Sequence, residues 1–558
     1  MRRIRNTNSW VHLYFESLPE VCRTKSFWNF YQESKMTTSS ESFFSYLYNC
    51  FEDFLFYITK DVLLVFALTF ITLMCWKKCW KQKPSGTQLK PTLKKKWDTS
   101  STLKEESPEI IIVGAGVLGS AFAAVLARDG RRVTVIERSM SEPDTFAGEV
   151  LQPGGYKILK LLGLENSLEG CEASKLRGFQ IHDLVNKEKN NLFFRLVENE
   201  DIEDGRSFRH GRFVMGLRKI AMAESNVKFI EGTVINLVED DGCIIGVQYK
   251  GKKSEDVKEL YAPLTVVADG LFSNIRKHLI SQKPNVTSHV AGVTMKTPQE
   301  LLLTKMNTII SDSSVFSIYT ISSNESRVLI NIAGEVPRNL KDYLMQIVYP
   351  IMPDHHKESF CEAVQNNNFK LLPANYLPAA TLNKSGVLLL GDAYNIRHPL
   401  TGGGMSIILS DIAIWRNLLQ NIPWLDNYEA ILQAKKKFYW LRKMNCTFVM
   451  NISAELTHQM FSAKDSTTLL VRKAYFEYRN FGEKYSQKSA QMYGMLTSKP
   501  SSFLLFLGAV TVHAMHLALK SEPWYRKHHA ICTISAILYN TLSFLIPLVY
   551  SEMCQSNI

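Results

Sequence analysis

A glycine-rich turn between a predicted strand and a predicted helix constrains the fold of this chain more than any other feature. The apolar run at 110–113 predicts a buried strand, and an apolar pattern of helical period follows over 117–129. Gly130 can end this helix in a left-handed C-cap, and the run at 133–136 predicts a second strand. Three glycines lie between the first strand and the helix in the spacing G-x-G-x-x-G: Gly114, Gly116 and Gly119. These elements predict a βαβ unit, and therefore a parallel sheet covered by helices.

The spacing of the three glycines indicates a dinucleotide site. The first glycine permits a tight turn, the second lets a pyrophosphate approach the backbone, and the third lets the helix pack closely on the strand. The N-terminus of the helix presents N–H donors to the phosphates. Glu137 ends the second strand and is placed to accept hydrogen bonds from a ribose 2′-OH, which favours FAD or NAD over a 2′-phosphorylated nucleotide. The open alternative is that the glycines serve only a tight turn.

Two further motifs place an aspartate directly after a predicted strand. The strand at 386–390 runs into Asp392, and the glycine-rich segment 401–405 then opens a helix. Asp392 can bind ribitol hydroxyls, while the helix N-terminus directs its partial positive charge at the pyrimidine end of a flavin. Asp269 and Gly270 end another predicted strand, although an ordinary turn explains this pair equally well.

Most of the excess positive charge of the chain lies in one short segment, and this position indicates which class of partner the charge serves. The formal net charge is +12, and eight lysines lie between residues 77 and 96 without an acidic residue among them. This pattern argues against a nucleic-acid-binding surface spread over the fold, so we expect no nucleic acid as a partner, and it favours a basic segment beside an anionic membrane. The ten cysteines are scattered without a C-x-x-C pair, so we expect reduced thiols and no metal site.

Three apolar stretches are candidates for membrane contact. The uninterrupted stretch at 62–76 has 15 residues, short of the roughly 20 that a spanning helix needs, so an interfacial or buried helix stays open as the alternative. Two uncharged stretches, 501–519 and 530–550, are each about long enough to span a bilayer. Because the loop between them is basic, we expect both to lie in the membrane from one side rather than cross it as a hairpin.

The order of elements predicts an α/β fold with a Rossmann-like FAD-binding domain, an inserted mixed β-sheet substrate domain and a C-terminal helical membrane-associated region. The expected segments are an N-terminal region with a basic linker at 1–107, FAD-binding segments at 108–178, 205–289 and 374–440, substrate-domain segments at 179–204 and 290–373, and the membrane-associated region at 441–558.

The motifs occur in an order that resembles the single-component flavoprotein monooxygenases: the glycine turn at 114–119, then Asp269-Gly270, then Gly391-Asp392. Four further blocks make the chain similar to the squalene epoxidase family, over about residues 108–553. They are G-E-V-L-Q-P-G-G at 148–155, H-G-R-F at 210–213, the segment 391–405, and K-S-E-P-W at 520–524.

The resemblance implies an FAD enzyme of the endoplasmic reticulum membrane, with its catalytic domain facing the cytoplasm and in contact with membrane lipid. It would insert one oxygen atom of O2 into a terminal double bond of squalene, giving (S)-2,3-oxidosqualene for sterol synthesis. Electrons would come from NADPH through NADPH–cytochrome P450 reductase, which agrees with the presence of only one dinucleotide fingerprint. Beside the three glycines, the positions that the resemblance assigns to FAD are Val117, Leu118, Glu137, Arg138, Thr145, Val150, Arg218, Val234, Asp392 and Met405.

Two departures from the family pattern concern the active site. Phe179 stands where the family has a tyrosine whose hydroxyl helps to set the site, and Val150 replaces a phenylalanine. Gln152 is expected to face the site as a polar group, although a turn-satisfying amide is the alternative. The resemblance therefore leaves two functions open: an active squalene epoxidase, or a catalytically weak membrane-bound paralogue that binds FAD and pathway lipids.

Overall fold

The computed structural model describes residues 107–194, 204–252, 256–496 and 499–553. The expectations for the apolar stretch at 62–76 and for the basic linker lie outside these residues. The strands are β1 (Ile110–Val113), β2 (Val133–Glu137), β3 (Val150–Leu151), β4 (Ser174–Leu176), β5 (Gly178–Asp183), β6 (Glu188–Phe193), β7 (Gly205–Ser207), β8 (Val227–Asp240), β9 (Cys243–Gly251), β10 (Val257–Tyr261), β11 (Leu264–Val267), β12 (Asn285–Lys296), β13 (Met306–Ile310), β14 (Val315–Ser322), β15 (Glu325–Ile332), β16 (Phe369–Tyr376) and β17 (Val387–Leu389).

The α-helices are α1 (Val117–Arg128), α2 (Pro153–Leu161), α3 (His210–Met222), α4 (Arg276–Leu279), α5 (Leu340–Tyr343), α6 (Asp354–Gln365), α7 (Gly404–Gln420), α8 (Tyr428–Met444), α9 (Cys446–Phe461), α10 (Ser466–Asn480), α11 (Glu483–Tyr493), α12 (Pro500–Ser521) and α13 (Lys527–Met553).

The first sheet contains the predicted βαβ unit. Its seven strands have the order β10-β9-β8-β2-β1-β11-β17. The five strands from β8 to β17 are parallel, while β9 and β10 add antiparallel strands at one edge. Strands β1, β11 and β17 are buried along their whole length, as expected of parallel strands covered by helices. Helix α1 ends at Arg128, and Gly130 adopts the left-handed conformation with φ +86°. The prediction of a βαβ unit here is confirmed.

The second sheet is mixed and also has seven strands, in the order β16-β12-β15-β14-β13-β5-β6. Only the pairing of β13 with β5 is parallel. Apolar side chains on one face of this sheet pack against α5 and α6. The strands come from both predicted substrate-domain segments, and the sheet extends beyond the second of them, because β12 begins at Asn285 and β16 ends at Tyr376. The domain limits themselves stay a prediction.

The chain is helical from α7 to the last described residues. Helices α12 and α13 are long and apolar enough to cross a membrane by length and composition, with mean hydropathies of 1.8 and 1.7 in their most apolar windows. Only 11% of that window is buried in α13, against 39% in α12. Because so much apolar surface is uncovered on α13, these helices indicate membrane association.

Candidate functional site

The glycine turn leaves space for a ligand at one glycine and is tightly packed at the other two. A Cβ atom on Gly119 would lie 1.9 Å from the carbonyl oxygen of Gly114, and one on Gly114 would lie 2.6 Å from that of Ala268. A Cβ atom on Gly116 would meet no atom within 4 Å. Gly116 is also the N-cap of α1 and supplies no side-chain cap. The first N–H groups of α1 therefore face open space, which suits a phosphate.

Glu137 and Arg218 hold this turn in place through hydrogen bonds to its backbone. The Glu137 carboxylate accepts hydrogen bonds from the backbone N–H of Ala115 at 2.6 Å and of Ser139 at 3.1 Å. Arg218 donates from Nε to the carbonyl oxygen of Ala115 at 2.9 Å, and its Nη2 lies 3.9 Å from Glu137 Oε2. Burial lowers the pKa of Arg218, and Glu137 opposes that shift. Sequence reasoning proposed Glu137 only as a ribose acceptor and missed this bracing role, for which the sequence has no local signal.

The ends of three parallel strands bring the three motifs to one edge of the first sheet. Val113 pairs with Val267, and Val267 pairs with Leu389. The glycine turn, Asp269 and Asp392 therefore follow neighbouring strands. A Cβ atom on Gly391 would lie 3.3 Å from Leu118 Cδ1, so the loop after β17 touches the first turn of α1. Such an edge is where α/β sheets bind their ligands.

Asp392 is held by its backbone while its carboxylate stays available. Arg276 donates from Nη1 to the carbonyl oxygen of Asp392 at 3.2 Å. Within the described part of the chain, no group donates a hydrogen bond to the Asp392 carboxylate. Burial raises the pKa of this carboxyl, and the positive charges of Arg397 and Arg276 oppose the shift. A ligand that brings hydroxyl donors would satisfy this carboxylate.

Several buried polar atoms have no hydrogen-bond partner among the described residues. They lie after β11 and β17 and at the start of α7: Asp269 Oδ1, Arg397 Nε, Gln152 Oε1 and Thr401 Oγ1. Each such atom costs about 1–3 kcal/mol when it stays unpaired. The mixture of acceptors and donors matches the hydroxyls, phosphates and ring edges of a flavin dinucleotide. Together with the open space at Gly116, these atoms show that the residues present fit FAD.

A second group of predicted residues lies at the start of α7. Gly402 is in the left-handed region, with φ +62°, and a Cβ atom there would lie 3.1 Å from Val150 Cγ1 and 3.3 Å from Gln152 Nε2. Met405 opens α7, and its sulfur lies 3.5 Å from where a Cβ atom on Gly148 would be. The structure therefore brings Val150, Gln152 and Met405 together at this helix start.

Gln152 serves the structure with one end of its amide and leaves the other end unused. It is fully buried, and its Nε2 donates to the carbonyl oxygen of Thr401 at 2.7 Å. Its backbone N–H donates to Ser406 Oγ at 3.1 Å. Its Oε1 is one of the unpaired atoms described above. The Nε2 bond fits the alternative of a turn-satisfying amide, and the role of Gln152 in the active site stays a prediction.

For the remaining residues predicted to bind FAD, the structure gives a position in the fold. Val117 lies in the first turn of α1, directly beside the glycine turn. Arg138 follows β2 and is exposed, and Thr145 is half-buried in the loop before β3. Val234 lies on β8, three residues beyond Glu231, the residue that pairs with Glu137.

Phe179 lies on β5 of the second sheet. It is buried, and its ring meets Phe194 and Tyr493 edge to face, with ring centroids 5.5 and 6.1 Å away. The Tyr493 hydroxyl lies 2.9 Å from Thr457 Oγ1 and accepts from the Tyr475 hydroxyl at 3.3 Å. Burial raises the pKa of Tyr493 well above its ordinary value, so this hydroxyl stays protonated. No sequence motif marked Tyr493, because its neighbours Phe179, Thr457 and Tyr475 come from three different elements, β5, α9 and α10.

A cavity of about 450 Å³ lies beside these hydroxyls. It is enclosed by α9, α10, α11, α12 and α13, and Thr457, Tyr475 and Tyr493 line it together with many apolar side chains. Phe179 contacts Tyr493 and therefore packs behind the cavity wall. This is a mainly apolar space next to the two helices that indicate membrane association.

A buried polar network joins the end of α13 to the loop after β17. Asn395 Oδ1 accepts hydrogen bonds from Arg397, Arg442 and Asn451 at 2.9, 2.8 and 3.0 Å. The Asn451 amide also donates to Glu552 Oε1 at 2.9 Å. Glu552, in the last turn of α13, is fully buried and forms an ion pair with Lys443.

The first sheet, its glycine turn and the converging strand ends define the fold of the FAD-dependent monooxygenases. A probable FAD-dependent monooxygenase from Pseudomonas aeruginosa has a similar structure, with a TM-score of 0.53, 20% identity, and coverage of 64% of this chain and 96% of that one. A flavin-dependent brominase is similar with a TM-score of 0.57, 14% identity, and coverage of 75% and 100%. At these identities the likeness concerns the fold alone. A family of NAD(P)-binding Rossmann-like domains also matches residues 112–141.

The chain belongs to the squalene epoxidase family. The family described as squalene epoxidase matches residues 261–532. Squalene monooxygenase of Rattus norvegicus is 49% identical over 453 residues, covering 81% of this chain and 79% of that protein. A squalene epoxidase of Schizosaccharomyces pombe is 34% identical over 455 residues, covering 80% of this chain and 99% of that protein.

Proposed function

We propose that this chain is an FAD-dependent squalene monooxygenase. It inserts one oxygen atom of O2 into a terminal double bond of squalene and gives (S)-2,3-oxidosqualene. The observation that carries the proposal is the meeting of the glycine turn, Asp269 and Asp392 at one sheet edge, in a chain 49% identical to a squalene monooxygenase.

FAD, when bound, activates O2 and supplies the oxygen-transfer chemistry. The chain's own residues hold it. The N–H groups at the start of α1 bind its phosphates, Glu137 accepts from its ribose, and Asp392 accepts from its ribitol hydroxyls. The full set of proposed contacts is Gly114, Gly116, Val117, Leu118, Gly119, Glu137, Arg138, Thr145, Val150, Arg218, Val234, Asp392 and Met405.

The cavity among α9–α13 is the proposed place of the hydrocarbon. Squalene has no polar group, so only apolar contact and exclusion of water can hold it. Helices α12 and α13 form part of the cavity wall and also carry the apolar surface that meets lipid. A substrate dissolved in the bilayer can therefore enter without passing through water. Phe179 and Gln152 are the proposed active-site residues on the protein side.

The proposed electron donor is NADPH–cytochrome P450 reductase. The single glycine fingerprint is assigned to FAD, which leaves this chain without a second such site for NADPH. This arrangement fits an enzyme of the endoplasmic reticulum membrane whose catalytic domain faces the cytoplasm, where the reductase and membrane lipid are both available.

A reductase-coupled turnover assay tests this function. The full chain, loaded with FAD and embedded in lipid nanodiscs, is supplied with squalene, NADPH and the reductase, and the product is identified by mass. We expect oxidosqualene to form, and to be absent when either the reductase or O2 is omitted. A yellow protein that yields no oxidosqualene would instead support the flavin-binding paralogue of low activity.

A further inference from the structure

Arg479 on α10 is a buried cation without a hydrogen-bond partner among the described residues. It is 1% exposed, and its Nε, Nη1 and Nη2 atoms are all unpaired. Its guanidinium carbon lies 4.8 Å from the ring centroid of Tyr475 and 5.6 Å from that of Phe476. Aromatic faces attract a cation, but they do not replace the acceptors that its N–H groups lost on leaving water.

Arg472 on the same helix shows how the fold treats a buried arginine that has a structural partner. It is also 1% exposed, and its Nε lies 2.9 Å from Asp183 Oδ2. Buried charges are normally paired in this way, because removing an ion from water without a counter-ion is costly. Among the described residues, Arg479 therefore lacks the acceptor that a buried arginine ordinarily has.

The unpaired guanidinium stacks on Tyr475, a residue of the cavity wall. Helix α10 contributes Thr468, Val471 and Tyr475 to the cavity wall, at steps of three and four residues. Arg479 follows Tyr475 by four residues, so it lies on the same helix face, one turn further. The positive charge of Arg479 acts on Tyr493, partly opposing the rise in the pKa of that hydroxyl. Three hydroxyl groups of the cavity wall, those of Thr457, Tyr475 and Tyr493, thus lie next to a positive charge directly behind the wall.

We propose that the cavity binds a lipid with one long apolar chain and an anionic head group, carboxylate or phosphate, whose oxygens accept from Arg479. The hydroxyls of Tyr475, Tyr493 and Thr457 surround the head, and the chain follows the apolar wall. The inference rests on the proposed function only in that the same cavity is assigned to squalene. Since squalene is an uncharged hydrocarbon, it cannot satisfy the guanidinium, and the anionic lipid would compete with it.

An equilibrium binding experiment tests the site without any turnover. The full chain, loaded with FAD in micelles of a neutral detergent, is titrated with oleate, oleyl phosphate and oleyl alcohol, and the shift in melting temperature is measured. We expect the anionic lipids to bind about tenfold to a hundredfold more tightly than the alcohol, the usual effect of charge-assisted hydrogen bonds. Oleate and oleyl phosphate separate a carboxylate site from a phosphate site. Arg479→Met should abolish the preference for an anion, and Lys473→Met, at an exposed position of the same helix, should keep it.

The stability of the lipid-free protein gives a second readout. Because Arg479 has no hydrogen-bond partner among the described residues to lose, Arg479→Met should leave the melting temperature unchanged or raise it. Arg472→Met should lower the melting temperature, because Asp183 then loses its buried counter-ion. Equal binding of oleate and oleyl alcohol by the unaltered chain would overturn the proposal, and so would a preference that survives in Arg479→Met. Normal squalene turnover beside either result would leave the proposed function standing, while a failed turnover assay with an intact preference for anions would affect the proposed function alone.

Discussion

At the scale of the residue, Asp392 is oriented by its backbone and left free at its carboxylate. Arg276 holds its carbonyl oxygen, and the described residues donate no hydrogen bond to its side chain. A group placed in this way contributes little to the fold by itself and much to a ligand that brings hydroxyl donors. The same separation is seen at Gln152, whose Nε2 is used by the protein and whose Oε1 is not.

We therefore expect Asp392→Ala to lose FAD while it keeps its fold. Charge-assisted hydrogen bonds are worth about 1.5–3 kcal/mol each, so affinity should fall tenfold or more. The measurement is flavin content after gel filtration, beside circular dichroism of the apoprotein. Asp354→Ala removes an exposed carboxylate on α6 and serves as the control. Full retention of flavin in Asp392→Ala would remove this residue from the site.

The second prediction at this scale concerns Phe179. The family's tyrosine hydroxyl is absent here, and the ring instead packs against Phe194 and Tyr493. Restoring one buried hydrogen bond is worth about 0.5–1.5 kcal/mol, and pairing a polar group left unsatisfied adds about 1–3 kcal/mol. Phe179→Tyr should therefore speed squalene epoxidation by roughly tenfold or more, with unchanged flavin content.

Phe194→Tyr adds the same hydroxyl to the neighbouring buried ring and is the matched control. Rates are compared at equal flavin occupancy. If Phe179→Tyr turns over no faster than the unaltered chain, the missing hydroxyl does not limit this enzyme.

The sequence was enough to identify candidate residues that belong to local motifs. It did not identify residues whose role depends on contacts in the folded chain. Gly114, Asp269 and Asp392 each follow a buried strand, and a local pattern is enough to find them. Arg479 and Tyr493 have no such pattern, because what distinguishes them is the partner they have or lack in the folded chain. Such partners come from distant parts of the chain, and one sequence does not report them.

At the scale of the element, hydrogen bonds connect the last turn of α13 to the loop after β17, which contains Asp392. The path runs from Glu552 through Asn451 to Asn395, which lies three residues after Asp392. An apolar helix that indicates membrane association is thereby attached to the loop proposed to hold the cofactor. The seating of α13 and the affinity for FAD should therefore depend on each other.

Glu552→Gln tests this connection. Breaking a buried ion pair costs about 3–5 kcal/mol of stability, because Lys443 is left without a counter-ion. We also expect FAD to bind more weakly, by about 0.5–2 kcal/mol, the range seen for changes along a coupled network. Stability is measured by thermal unfolding of the apoprotein, and affinity by the quenching of flavin fluorescence in a separate titration.

Asp183→Asn is the matched control, since it removes a buried ion pair of α10 that does not lead to the loop. It should lower stability and leave FAD affinity unchanged. Equal losses of FAD affinity in the two variants would mean that Glu552 acts only through general stability.

Elements with a strong apolar pattern were predicted closely. The stretches 501–519 and 530–550 correspond to α12 (Pro500–Ser521) and α13 (Lys527–Met553), and the run at 110–113 is β1. The order of strands within the sheets could not be predicted from the sequence. The sequence does not show that β1 lies between β2 and β11, although this neighbourhood is what brings the three motifs together.

At the scale of the whole molecule, the position of α12 and α13 decides how the substrate reaches the cavity. If both helices cross the bilayer, the loop at 520–529 lies in the lumen with Lys520, Arg526 and Lys527, against the tendency of basic loops to stay in the cytoplasm. The folded chain fixes the other end of α13, in a way that either topology allows. Glu552 is buried against Lys443 of α8, so α13 ends on the body of the catalytic region.

We therefore expect both helices to lie in the membrane from one side. The Lys527 ammonium donates to the carbonyl oxygen of Leu519 at 2.6 Å, so a charge of this loop helps to satisfy the end of α12. The test is an N-glycosylation acceptor placed in the loop, with cysteines introduced there and labelled from the cytoplasmic side of sealed microsomes as a positive readout. Labelling without glycosylation is the expected result. Glycosylated loops that resist the label would show that the helices cross, and squalene would then have to reach the cavity between two spanning helices rather than from one leaflet.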